Sequence, residues 1–259
     1  MSEPDELDAI RERYARRAAL PAERYALSKP DVRLRVAERR RATQALLAAH
    51  GMAPLRGLDV IEVGCGSGGN LQELLDAGAD PRRLVGNELL AHRLEQARLE
   101  LPPAVRLLAG DASTLPLADA SFDIVLQFTV FSSILDDALQ RRLAGAMWRW
   151  LRPGGGVLWY DFTLNNPRNP DVRGVPLARV RELFPHGRLD ARRVTLAPPL
   201  ARQACRLHPA FYTLLNAVPL LRTHVLAWIG KPAFEPFAAR PGARTTNADV
   251  DALRDVEGI

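Results

Sequence analysis

Cysteine is scarce: Cys65 and Cys205 are the 2 cysteines in 259 residues. So distant a pair gives neither a disulfide framework nor the close ligand spacing of a structural metal, and no metal is expected. Lysine is nearly absent too, with Lys29 and Lys231 standing against a Lys+Arg total of 35. The arginines are scattered and set among acids, leaving a net charge of +5. A nucleic-acid face, with clustered basic residues interleaved with aromatics, is therefore not expected. The densest run, Arg35, Arg39, Arg40 and Arg41, has Glu38 inside it and reads as a solvated helix face. Uninterrupted apolar stretches are also missing. Phe211 to Ile229 comes nearest, but Asn216, Pro219, Arg222 and His224 break it, so it reads as a buried helix-turn-strand and not a membrane span. The N-terminus mixes acids and arginines, unlike a secretory leader, and the expected compartment is the cytoplasm.

What the chain does contain is a glycine-dense turn after an apolar run: Leu58-Asp59-Val60-Ile61-Glu62-Val63-Gly64-Cys65-Gly66-Ser67-Gly68-Gly69-Asn70. Glycines let backbone turn sharply and approach a ligand, and the helix that follows presents free N–H groups. The loop satisfies two templates. Gly64, Gly66 and Gly69 obey the dinucleotide spacing, with Glu88 roughly 20 residues on for a ribose. Glu62, Gly64, Gly66 and Gly68 equally obey an acid-x-Gly-x-Gly-x-Gly pattern, and a bare strand-to-helix turn is a third reading. Charge separates the first two: a pyrophosphate gains nothing from a carboxylate beside the loop, whereas a cationic sulfonium or ammonium does.

Further segments follow in βα order. Arg83 to Leu90 reads as a second strand ending in Glu88 and Leu89, and Val105 to Ala112 as a third ending in Gly110-Asp111-Ala112. Ser121 to Phe128 is a fourth strand, leading into Gln127, Phe128, Thr129, Val130 and Phe131. A helix over Arg141–Leu151 is stopped by Arg152-Pro153-Gly154-Gly155-Gly156, and Val157–Phe162 forms a fifth strand. Sixth and seventh strands are expected at Leu189–Leu196 and His224–Ile229. Such repeats predict an α/β, doubly wound sheet with helices on both faces.

The acidic glycine loop, the acids closing strands two and three, the Ser-Phe-Asp-Ile-Val-Leu run and the Leu-Arg-Pro-Gly-Gly turn together resemble the class I S-adenosylmethionine (AdoMet)-dependent methyltransferases. The resemblance implies a Rossmann-like sheet, mostly parallel with an antiparallel last strand. It implies AdoMet as cofactor, held by Glu62, Gly64, Cys65, Gly66, Ser67, Gly68, Glu88, Leu89, Gly110, Asp111, Ala112, Gln127 and Phe128. Cys65 needs only to be small there. Residues 1–56 are expected to form a helical lid carrying Tyr25, 57–232 the AdoMet-binding domain with a helical insertion at 198–221, and 233–259 a loose tail. Acceptor contacts are expected from Tyr25, Thr129, Phe131, Asn165 and Arg168, the last two on the polar loop after strand five, beside Asn166.

Asp161, at the end of strand five, is the proton acceptor that topology favours over His208 and His224. The Asn/Asp-Pro-Pro-Tyr signature of amide-nitrogen methylation is absent. The expected reaction is methyl transfer to a small molecule, at a hydroxyl of a sugar or secondary metabolite. Nitrogen or carbon methylation and a non-catalytic AdoMet-binding subunit are the alternatives, and a homodimer is left open.

Overall fold

A computed structural model describes residues 5–18, 28–165 and 169–233. In chain order the helices are α1 (Glu6–Ala18), α2 (Pro30–Ala49), α3 (Gly69–Asp76), α4 (Ala91–Glu100), α5 (Asp137–Trp150), α6 (Leu177–Leu183), α7 (Pro198–Leu207) and α8 (Pro209–Asn216). The strands are β1 (Val60–Val63), β2 (Leu84–Glu88), β3 (Arg106–Ala109), β4 (Phe122–Phe128), β5 (Leu151–Phe162), β6 (Arg188–Leu196) and β7 (Arg222–Gly230). They form one sheet in the order β3-β2-β1-β4-β5-β7-β6. The first five pair in parallel, while β7 runs antiparallel to both β5 and β6. This is the expected Rossmann-like sheet.

Side-chain alternation divides the core. Val125, Val157, Trp159, Val225 and Ala227 point to one face, under α5 and α6. Ile124, Leu126, Leu158, Tyr160 and Leu226 point to the other, under α2, α3 and α4. Strands covered on both faces need apolar residues at nearly every position, which is why β1 and β4 read as continuous runs. α5 buries Leu139, Leu143, Met147 and Trp150 at helical spacing and starts where the Asp136 side chain accepts the Leu139 N–H. The two edges are β3 and β6, and Arg106, Arg188, Arg192 and Arg193 on them are exposed.

Three expectations change. β5 begins at Leu151, so the Arg152–Gly156 stretch lies inside the strand and does not simply end the helix. A side chain at Gly156 would sit 2.4 Å from the Trp228 ring, so this glycine admits a neighbour's indole. The N-terminal segment divides its labour: α1 roofs a cleft at the sheet's carboxyl end, whereas α2 packs on β6, β7, α7 and α8. The arginine run on α2 is not simply solvated. Arg35 and Arg39 are half-buried, and Arg39 and Arg40 pair with Glu73 and Asp76 of α3. No helix among the described residues is long and apolar enough to cross a membrane.

Candidate active site

A cleft of about 750 Å³, part of it open to solvent, lies beyond the carboxyl ends of β1, β2, β3 and β4. That is where ligands bind in open α/β sheets. Gly64, Glu88, Leu89, Gly110, Asp111, Ala112, Phe128 and Thr129 line it. Gly64 has φ +66°, and a Cβ there would come 2.6 Å from Val130 Cγ2, so the turn requires glycine.

Glu88 organises the cleft floor. Its Oε2 accepts the Gly66 N–H at 2.8 Å and its Oε1 accepts the Leu90 N–H at 2.9 Å, fastening β2 to the glycine loop. A carboxylate has about four acceptor positions, so two remain for a ligand. Asp111 caps the turn after β3, accepting the Ser113 N–H and hydroxyl. Glu62 is fully buried beneath the loop. Asn70 donates to its Oε1 at 2.6 Å, while Oε2 has no partner among the described residues. Burial pushes its carboxyl up to about 7, against the lowering effect of Asn70. An orphaned buried carboxylate oxygen beneath a nucleoside-type loop suits a cationic ligand far better than a pyrophosphate.

The remaining loop residues act from behind. Cys65 is buried, Ser67 is exposed, and Gly68 stands at the head of α3. Burial and the carboxylates of Glu62 and Glu88 push the Cys65 thiol up, so it stays protonated. Gln127 is buried, and its Oε1 accepts the Val130 N–H at 3.0 Å, shaping the turn after β4 without lining the cleft.

That turn carries backbone strain. Thr129 has φ +60°, and its N–H donates to the Tyr160 carbonyl at 2.7 Å. A threonine in the left-handed region costs of order 1–3 kcal/mol and persists only where surroundings impose it. Here Ser132 and Ser133 hydroxyls donate to the Thr129 carbonyl, and Gln140 of α5 holds the carbonyls of Phe131 and Ile134. Phe131, expected at the acceptor, is instead fully buried with its ring 4.7 Å from Trp159.

Asp161 also lies in the core and does not line the cleft. Its oxygens accept the N–H groups of Ser132 at 3.1 Å and Phe162 at 2.9 Å, so it ties the strained turn to β5. Burial lifts its carboxyl to about 7, opposed by those hydrogen bonds. Asn165 closes its own loop by accepting the Gly174 N–H at 2.8 Å. Tyr25 and Arg168, together with Asn166, lie outside the described residues.

The cleft has a helical roof from the expected N-terminal segment, built among the described residues by side chains other than Tyr25. Leu7, Ile10 and Tyr14 of α1 line the cleft, as does Arg93 of α4, whose guanidinium lies 4.7 Å from the Tyr14 ring centre. Glu6 fixes α1 by accepting the Leu135 N–H at 2.7 Å and pairing with Arg13 at 2.6 Å. Arg16 reaches Asp171 of the post-β5 loop. The Leu7, Ile10, Tyr14 spacing is a helical stripe, but nothing local says which surface it meets. Glu6→Ala removes the Leu135 contact and leaves Arg13, which donates to the Ser133 carbonyl at 3.1 Å, without its carboxylate partner. The expected result is at least a ten-fold faster release of S-adenosylhomocysteine in stopped flow, with earlier tryptic cleavage inside α1. Unchanged release would mean that α1 is not a lid.

A second cleft, of about 570 Å³, opens beyond β4, β5 and β7 on the α2 side. Arg35, Val36, Arg39, Thr129, Tyr160 and His224 line it, so the strained Thr129 is a wall common to both clefts. The His224 imidazole stacks on Tyr160 at 5.0 Å. Burial first, then the charges of Arg35 and Arg39, lower its pKa to about 4, and it is neutral at pH 7.

The family model described as a methyltransferase domain matches residues 60–155, from β1 into β5. A trans-aconitate 2-methyltransferase of Afipia carboxidovorans is 31% identical over 212 residues, 77% of each chain. A tRNA N(3)-cytidine methyltransferase of Gallus gallus is 32% identical over 111 residues, 40% of this chain and 30% of its own. Among solved structures, a Burkholderia thailandensis 1,6-didemethyltoxoflavin-N1-methyltransferase with bound S-adenosylhomocysteine superposes with a TM-score of 0.58. At 21% identity it covers 89% of this chain and 92% of its own, a likeness of fold. Three further curated relatives are matched over only 33, 37 and 47% of their own lengths, so the chain spans less than half of each.

The chain belongs to the class I AdoMet-dependent methyltransferases. AdoMet is the cofactor of that class.

Proposed function

We propose that the chain transfers the AdoMet methyl group to an oxygen of a small polar acceptor seated in the second cleft. The observation that carries this reading is the shared Thr129 wall: a donor cleft and a separate, polar cleft meet at one residue. The relative named for trans-aconitate supports a small-molecule acceptor, and the relative named for tRNA, which points the other way, is matched over less of either chain.

In this reading Glu88 takes the ribose hydroxyls with its free lone pairs, Asp111 and Ala112 flank the adenine, and Glu62 beneath Gly64 offers negative charge to the methionine end. When bound, AdoMet supplies a methyl group on a good, neutral leaving group: its carbon–sulfur bond breaks as a carbon–oxygen bond forms, giving S-adenosylhomocysteine and releasing the hydroxyl proton. The chain therefore has to align, exclude water and receive a proton. α1 roofs the donor cleft with Leu7 and Ile10, excluding water. For the proton, His224 replaces Asp161. In the tautomer that donates from Nδ1 to Thr223 Oγ1, 3.0 Å away, Nε2 keeps its lone pair. A neutral imidazole is a weak base here, yet the hydroxyl becomes strongly acidic as its oxygen bonds carbon.

The test is turnover of methyl-labelled AdoMet against hydroxylated, amine and RNA acceptors. Labelled small-molecule ether is the expected product, and transfer to RNA alone would overturn the proposal. His224→Phe is expected to lower kcat by roughly 100-fold, the usual scale of a lost proton acceptor. At saturating AdoMet and acceptor, where Glu62 no longer limits binding, the wild-type kcat should stay level from pH 8 to pH 6 and fall only toward pH 4, where the imidazole protonates. An acid limb that persists unchanged in His224→Phe would rule His224 out.

A further inference from the structure

The second cleft has a charge pattern that a purely neutral sugar does not explain. Two guanidinium groups face into it and none of its lining residues is acidic. Arg35, half-buried, makes no hydrogen bond or ion pair among the described residues. Of the acids within one turn of it on α2, Glu38 is engaged elsewhere, accepting the Tyr212 hydroxyl at 2.7 Å and the Thr195 N–H at 3.0 Å, and Asp31 forms no ion pair with it among the described residues.

Arg39 is held like a tool in a vice. Its guanidinium carbon lies 5.1 Å from the Phe128 ring centre and 5.7 Å from that of Tyr160, and Nη2 donates to Glu73 at 2.9 Å. Its Nε–H is buried with no partner among the described residues. A desolvated donor on a stacked, pre-oriented fork is costly unless something accepts from it. One turn of helix separates Arg35 from Arg39, so both project from the same face of α2. Both neighbours that titrate are neutral at pH 7. Burial raises the Tyr160 hydroxyl, which shares a hydrogen bond with Thr195, and lowers the His224 imidazole.

We infer that this cleft recognises an acceptor through an oxyanion, a carboxylate or a phosphate, gripped by Arg35 and Arg39. The inference rests on reading the second cleft as the acceptor side, and it narrows the acceptor to acidic small molecules. The oxyanion is the anchor. Two guanidinium groups withdraw charge from it, so the methylated oxygen is a different one, placed beyond it toward Thr129. Bidentate hydrogen bonding also fixes the acceptor's orientation, which a point charge would not.

The experiment is calorimetric titration of the protein, saturated with S-adenosylhomocysteine, with citrate, glucose 6-phosphate and glucose. Citrate or glucose 6-phosphate is expected to bind at least ten-fold more tightly than glucose, and which of the two wins identifies carboxylate or phosphate. Arg35→Gln should weaken the acidic probe at least ten-fold, Arg35→Lys should recover part of that loss, and affinity for S-adenosylhomocysteine should be unchanged in both. Equal binding of glucose, or no binding by either acidic probe, overturns the oxyanion site while leaving methyl transfer intact. If Arg35→Gln weakens S-adenosylhomocysteine as much as the acid, the arginine grips the cofactor's own carboxylate and the inference falls. Failure of the wild type to bind S-adenosylhomocysteine at all would instead strike the methyl-transfer reading itself.

Discussion

Glu88→Ala is expected to weaken S-adenosylhomocysteine by at least about 100-fold in a calorimetric titration. Two effects add. Hydrogen bonds to a charged acceptor contribute about 1.5–3 kcal/mol each, so losing two ribose contacts removes about 3 kcal/mol, a factor of roughly 100. The substitution also frees the N–H groups of Gly66 and Leu90, which Glu88 holds at 2.8 and 2.9 Å, so the glycine loop loses its registration against β2. Glu88→Gln should fall between, because an amide keeps one acceptor oxygen but sets a donor against a backbone N–H. Unaltered affinity in the alanine variant would remove Glu88 from the cofactor site.

The second large effect concerns stability. Asp161→Ala leaves the N–H groups of Ser132 and Phe162 buried without an acceptor. Each such orphan costs about 1–3 kcal/mol, and relief of the buried carboxylate's own desolvation offsets part of that. A net loss of about 3 kcal/mol corresponds to a fall in Tm of about 6–12 °C for a chain of this size. The pH dependence has a definite sign. Burial raises the folded-state pKa from 3.8 to about 7, so the folded state binds the proton more tightly than the unfolded chain. The contribution of the carboxyl to stability is full below pH 3.8 and is lost as pH rises through about 7. The gap between wild type and Asp161→Ala should therefore be wider at pH 5 than at pH 8. A proton acceptor in the cleft would behave otherwise, losing kcat with little change in Tm.

The contrast between these two acids marks what the sequence could convey. Glu88 and Asp111 act on backbone within two residues of themselves and on the adjacent glycine loop, so their position at strand ends was enough to find them. Asp161 has the same local signature. Its burial follows from β7, which pairs Val225 with Asp161 and His224 with Phe162, a neighbour some sixty residues away. Arg35 and Arg39 look like a solvated charge run until α2 is laid over Tyr160 and His224. Their spacing of one helical turn was the only local signal. Tyr14 and Arg93 depend likewise on where two separate helices come to rest. Phe131 illustrates the reverse error, since a residue just past β4 has either a cleft or the core to face, and Trp159 draws it inward.

The arginines on the outermost strands have a consequence for life in a concentrated solution. A free strand edge is a template on which another chain can continue the ladder. Arg106 on β3 and Arg188, Arg192 and Arg193 on β6 place guanidinium groups along both edges of the sheet formed by the described residues, with Asp190 offsetting Arg192. Two copies brought edge to edge would set guanidinium against guanidinium, a juxtaposition that discourages fibril-like growth.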